Sequence, residues 1–292
     1  MILLALLACR PVDDASRTLD EALHAVHVGF GEAPDAELAP LVRNLERRMY
    51  QSLRIDDGDA VARSVSPTNL TREEVAIVEP RPRNADPANT LAVLTAYPSP
   101  FEVSELAAVP IYPDQTEVEP ASPDHYDRTF TEGADCWRDV GCPWLRTVNE
   151  LTKVYVLNLL PPLTYGLQKD YRWVDLAADL GTGEPRWGIV VRSWNPESVT
   201  TEDGRNQVVQ SYTVEVFLPR DGRGFVWEDD DPERPATQGD SSVGGTLRMM
   251  TVWSEAITWI SADPASQEPV VRGGINDIFV HQDAWLRNRL TP

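Results

Sequence analysis

Lysine is almost missing from this 292-residue chain: only Lys153 and Lys169 occur, and every other basic residue is arginine. Together they number 26 against 46 acidic residues, for a net charge of −20. Nucleic acid is excluded on that balance, because its phosphates call for basic patches. Electrostatic attachment to anionic lipid is excluded for the same reason. Cysteine is scarce, with three in all, Cys9, Cys136 and Cys142, too few for a tetrahedral zinc site without a histidine cluster. The four histidines are His24, His27, His125 and His281, and none sits in an H-E-x-x-H pattern. G-x-S-x-G, a P-loop and a dinucleotide fingerprint are also lacking. Spacing singles out no carboxylate pair for glycosidase chemistry. The sequence therefore assigns no catalytic residue, no metal and no cofactor. No apolar run reaches the roughly 20 residues that a spanning helix needs. With 42% hydrophobic residues the chain still has the means to bury a core.

What is present begins with the uncharged apolar stretch Met1–Ala8, which ends at Cys9. Leu6-Leu7-Ala8-Cys9 resembles the lipobox of bacterial lipoproteins. That resemblance implies a signal segment over residues 1–8, a lipid on Cys9 and a short polar tether over 9–18. It also implies attachment to a membrane through the lipid, in the cell envelope. Arg10, standing where an aspartate would retain the protein at the inner membrane, favours the outer membrane, facing periplasm or cell surface. Cys136 and Cys142 remain as a pair, which in an exported chain reads as a disulfide closing a short loop.

Between residues 19 and 120 the pattern is mainly helical. Leu19, Leu23, Val26 and Phe30 repeat at helical spacing, as do Leu38, Leu41, Leu45 and Met49, with Gly29, Gly31 and Pro34 between them. This predicts an antiparallel helical hairpin. His24 and His27 lie three apart on its first helix, with no third ligand to make a metal site. Thr71-Arg-Glu-Glu74 reads as a capping box, and Ser99-Pro100-Phe101-Glu102 as a second helix start. Leu91–Tyr97 reads as a strand. Tryptophan first appears at Trp137, which places the boundary of a second part, residues 121–292, near 120.

That second part reads as an antiparallel β-meander. Tyr126–Thr131 is its first strand, Pro143–Leu151 is expected to be helical, and Val154–Leu160 begins the main run. Leu163–Trp173 alternates apolar and polar, so one face should be buried. Lys169, with Asp170 and Arg172, interrupts that run and reads as an ion pair at an edge or near a loop. Trp187–Trp194, Tyr212–Leu218 and Leu247–Ala256 follow as strands, and the acidic run Glu228–Glu233 reads as a solvated loop. Ile275, Ile278, Phe279, Gln282 and Leu286 then share one face of a closing helix beginning after Gly273-Gly274. The fold class is α+β: a helical part, then an antiparallel meander with a C-terminal helix.

This element order, from about Tyr126 to Leu290, resembles the START-like helix-grip superfamily, which includes polyketide cyclases and pollen-allergen-like proteins. The resemblance implies a curved sheet around the last helix and an apolar cavity for a lipid or another hydrophobic small molecule. Tyr165, Tyr171, Trp173, Trp187 and Trp253 are the candidate lining, with plain sheet core as the competing reading. The other functional classes are a carbohydrate binder, with Trp173, Trp187 and Trp194 in a solvent-facing row, and a structural or protein-interaction subunit of the envelope.

Overall fold

The computed structural model describes residues 18–31, 33–55, 62–154, 162–181, 183–220, 244–258 and 264–290. Cys9 with its leader, Trp259, the strand expected over Val154–Leu160 beyond Val154, and the acidic run Glu228–Glu233 lie outside them. The described elements are α1 (Leu19–Gly29), α2 (Asp35–Leu53), β1 (Arg63–Val65), α3 (Arg72–Val75), β2 (Leu91–Ser99) and α4 (Val103–Leu106). After these come β3 (Tyr126–Glu132), β4 (Trp144–Lys153), β5 (Leu163–Asp175), β6 (Trp187–Trp194), β7 (Val199–Thr200), β8 (Asn206–Pro219), β9 (Thr246–Thr258) and α5 (Pro264–Leu290). The protein is α+β, with a helical N-terminal part, a nine-stranded antiparallel sheet and a long C-terminal helix in a helix-grip-like arrangement.

The sheet runs β1-β2-β9-β8-β6-β5-β4-β3, with β7 attached to β8. β2 comes from the mainly helical part, yet it pairs with β9 from Leu91↔Ser254 to Ser99↔Thr246. The boundary expected near residue 120 therefore does not divide the sheet. Register fixes which residues share a face, because side chains alternate along each strand.

One face carries Ala92, Leu94, Val190, Tyr212, Val214, Val216, Met249 and Trp253, and the α1–α2 hairpin covers it. Leu23, Val26, Leu38, Leu45 and Met49 are fully buried there, as their helical spacing predicts. Thr18 caps α1 and Thr71 caps α3, each in a reciprocal box with the glutamate three residues on. The opposite face, called the grip face below, carries α4, α5 and the Cys136–Cys142 loop.

Three expectations need correction. Trp144–Lys153 is strand, not helix. Its inward positions are Leu145, Thr147, Asn149 and Leu151, and the two polar residues among them mask the alternation. Ser99 is not a helix cap; it ends β2, and Glu102 caps the next helix by boxing with Glu105. The closing helix begins at Pro264, so Pro269, Gly273 and Gly274 lie inside it. They cost helix propensity, which the packing of Ile275, Phe279 and Leu286 offsets.

Candidate functional site

The predicted aromatic set does not converge. Trp253 is fully buried on the hairpin side, where the His24 and His27 rings meet it edge-on at 6.0 and 5.9 Å. Tyr165 belongs to a separate cluster near the sheet edge with Tyr126, Leu151, Leu163 and Val208. Tyr171 and Trp173 are buried on the grip face, and Trp187 is half-buried against them. A flat solvent-facing row of Trp173, Trp187 and Trp194 does not form, because Trp173 and Trp194 are buried on opposite faces.

The grip face is filled by a residue that the sequence did not single out. Trp137 sits inside the disulfide loop, and Cys136 and Cys142 are bonded with Cα atoms 5.3 Å apart. Its ring stacks at 5.4 Å from Trp173, its indole N–H donates to Ala107 O, and its carbonyl accepts from the Trp173 indole at 2.8 Å. Gly133 turns the chain into the loop with φ +84°, and a Cβ there would lie 1.9 Å from Trp144 O, so only glycine fits. The only signals for Trp137 in the sequence are its place inside the cysteine pair and its rank as the first tryptophan.

Beside this aromatic plug lies a buried charged centre. Lys169 on β5 meets Glu215 on β8 at 2.8 Å, with both side chains almost wholly buried. This corrects the edge-pair expectation: Lys169 shares the inward face of Tyr171 and Trp173, in the middle of the sheet. Burial opposes its charge most strongly, but the Glu215 carboxylate together with Tyr171, Tyr126 and Glu119 outweighs it and raises the ammonium pKa. Arg128 on β3 donates to Asn149 Oδ1, Pro110 O and Tyr126 Oη. Arg248 on β9 lies between the Phe217 and Phe279 rings, at 5.1 and 4.4 Å, and donates to Gln282 of α5. Its Nη1 is 3.6 Å from Asp283, too long for a hydrogen bond, and desolvation lowers its pKa. Asp283 accepts instead from Ser99 Oγ at 2.8 Å and Tyr97 Oη at 3.0 Å. Burial raises the Asp283 pKa, and burial with the Asp283 charge pushes Tyr97 up to about 12.

These side chains leave a cavity of about 20 Å³, lined by Arg128, Lys169, Tyr171, Glu215 and Arg248 among others. That is room for a water and not for a lipid, whose pockets run to roughly 300 Å³ or more. A larger depression of about 520 Å³ is an open feature at the sheet edge, between Pro162–Thr164 and Val199–Asp203. Among the described residues, no group of three His, Cys, Asp or Glu side chains is placed to hold a metal ion. His27 is buried and held neutral, its pKa lowered to about 3 by desolvation and then by Arg192. The charged centre was partly legible, since Arg128 and Lys169 each interrupt an inward-facing apolar series, whereas Glu215 follows Thr213 and Arg248 follows Thr246 on theirs.

No family model matches this sequence, and no curated protein matches it. Solved structures do match, among them Ara h 8.0201, with 12% identity over 68% of this chain and 99% of that one. The TM-score is 0.34, a likeness too slight to carry a functional argument.

Proposed function

We propose that this chain is a lipid-anchored protein of the cell envelope whose sheet-and-helix module is a closed, non-catalytic structural or protein-interaction unit. The observation that carries this reading is the filled grip face. Among the described residues, Trp137 and the Lys169–Glu215 and Arg248–Asp283 groups occupy the space where a hydrophobic ligand would sit, leaving about 20 Å³ between the charged groups. The anchor rests on Leu6-Leu7-Ala8-Cys9, and the Cys136–Cys142 bond fits the oxidising compartment that export implies. Among the described residues no helix is long and apolar enough to cross a membrane.

The test is intact mass analysis of the protein taken from membranes of its native host, followed by native mass spectrometry. Loss of residues 1–8 with added acyl mass on Cys9, and a folded module without a small molecule, is the expected result. A Cys9→Ser protein still sedimenting with membranes overturns the anchor. An apolar molecule that stays bound and is released only on unfolding overturns the closed module, and makes a hydrophobic-ligand carrier the better reading.

A further inference from the structure

Where the end of α5 packs beside the segment 109–118, four side chains form a small box. Tyr112 and Trp285 stand at 63° to each other with ring centroids 4.9 Å apart, making two walls of a corner. Glu117 closes a third side, its Oε2 accepting from Tyr112 Oη at 3.0 Å and from the Trp285 indole N–H at 3.4 Å. Arg289 occupies the corner. Its guanidinium carbon lies 4.3 Å from the Tyr112 ring centre and 4.6 Å from the Trp285 ring centre, and Nη2 donates to Glu117 at 2.6 Å and Tyr112 Oη at 2.5 Å. Both ring distances fall within the range of a cation–π contact.

The walls stand independently of their occupant. Tyr112 and Trp285 pack on the cluster of Leu106, Val109, Val118 and Leu286, and the Glu117 carboxylate keeps two donors if Arg289 leaves. The occupant is the weaker part: Arg289 is exposed and lies in the last turn of α5, where helix ends fray. It meets Trp285 only because residues four apart share a helix face. Two aromatic walls and a carboxylate recognise a cation by its charge and its polarisable surface, and the overall charge of −20 attracts cations to this protein.

We propose that Tyr112, Trp285 and Glu117 form a cation-binding cage, filled in this conformation by the protein's own Arg289 and open to an organic cation of the quaternary ammonium class when Arg289 swings out. The contact is then self-blocking: the chain supplies a competitor for its own site. Tetramethylammonium chloride is the probe, titrated against sodium chloride at matched ionic strength, with the Trp285 indole N–H resonance assigned through Trp285→Phe. In Arg289→Ala the resonance should shift saturably, with half-saturation roughly tenfold lower than in the unaltered protein. Adding Tyr112→Ala to that variant should abolish the response, and adding Glu117→Gln should weaken it. Arg289→Gln, which keeps a polar side chain on the helix, should behave like Arg289→Ala. A Trp285 resonance in folded Arg289→Ala or Arg289→Gln that moves no further than in the salt control overturns the cage. Equal half-saturation with and without Arg289 overturns the self-blocking.

Discussion

The two faces of the sheet are built on different principles. Under the α1–α2 hairpin the contact is continuous and apolar, and charged groups enter only as staples. Arg172 donates to Phe30 O, Gly31 O, Ala33 O and Asp35, and Asp35 in turn accepts from the Asp175 amide. Arg186 grips Glu46 in a two-pronged pair at 3.0 and 2.9 Å, and Arg43 reaches Leu176 O and Asp179. On the grip face the order is reversed. Separate apolar clusters, one around Trp137 and Trp173 and one around Phe279, surround a charged middle. An apolar face follows from area burial and tolerates variation. A charged middle depends on every partner being in place, since an unpaired buried ion is far costlier than the pair is favourable.

The strongest way to break this contrast is to truncate one ion of each kind. Lys169→Ala should leave Glu215 buried and unpaired and cost about 3–5 kcal/mol, whereas Glu46→Ala, which leaves Arg186 its bond to Pro219 O, should cost less. Denaturant unfolding will separate them further when both partners are replaced. Lys169→Met with Glu215→Leu should recover most of the loss, and a double variant as unstable as the single one would show that the charged middle positions α5 and not merely itself.

Acid sharpens the comparison, because the faces respond with opposite sign. His27 is neutral when folded, donates to Glu74 O through Nε2 and has no hydrogen-bond partner at Nδ1. Its folded pKa, about 3, lies below the ordinary 6.5, so the unfolded chain takes up the proton first and stability falls as pH drops from 6.5 toward 3. By pH 5 the loss should be about 2 kcal/mol, and His27→Gln should lack that part of the acid sensitivity. Asp283 has a raised folded pKa, so its protonation on acidification relieves a burial cost instead. Unfolding curves of His27→Gln and Asp283→Asn between pH 7 and pH 4 should therefore diverge from the unaltered protein in opposite directions.

The plug of the grip face should be felt more mildly through its loop. Replacing Cys136 and Cys142 by serine should cost about 2 kcal/mol in the chain-entropy view of so short a loop. The Trp137 fluorescence environment should change while the hairpin contacts persist, which near-ultraviolet circular dichroism and hydrogen exchange together will reveal. Smallest is Thr71→Ala, which removes one side of a capping box on the hairpin side and should lower the unfolding midpoint by the equivalent of about 1 kcal/mol.

Read from sequence alone, the hairpin side is nearly complete, because a helix buries residues three and four apart and Leu19, Leu23 and Val26 announce that spacing locally. The cysteine pair, the β5 alternation and the Thr71 cap are local in the same sense. The aromatic set was legible as core and misleading as a site: alternation places Tyr171 and Trp173 on one face, but nothing within β9 says that Trp253 faces the other way. Trp144–Lys153 failed as a helix since Thr147 and Asn149 take inward positions, and their bonds to Lys169 O and Leu167 O exist only once β5 lies alongside.

Short-range pattern therefore determined the class of the fold, its Thr71 cap, its hairpin and its disulfide. Only the assembled sheet decided that β2 pairs with β9, that Lys169 finds Glu215 and Arg248 lies beside Asp283, and that Arg289 folds back onto Tyr112 and Trp285. The physical reason is range. Helical and strand periodicities are written in steps of two to four residues, whereas the partner of a buried charge is whichever side chain the register brings within a few ångströms, at any distance along the chain.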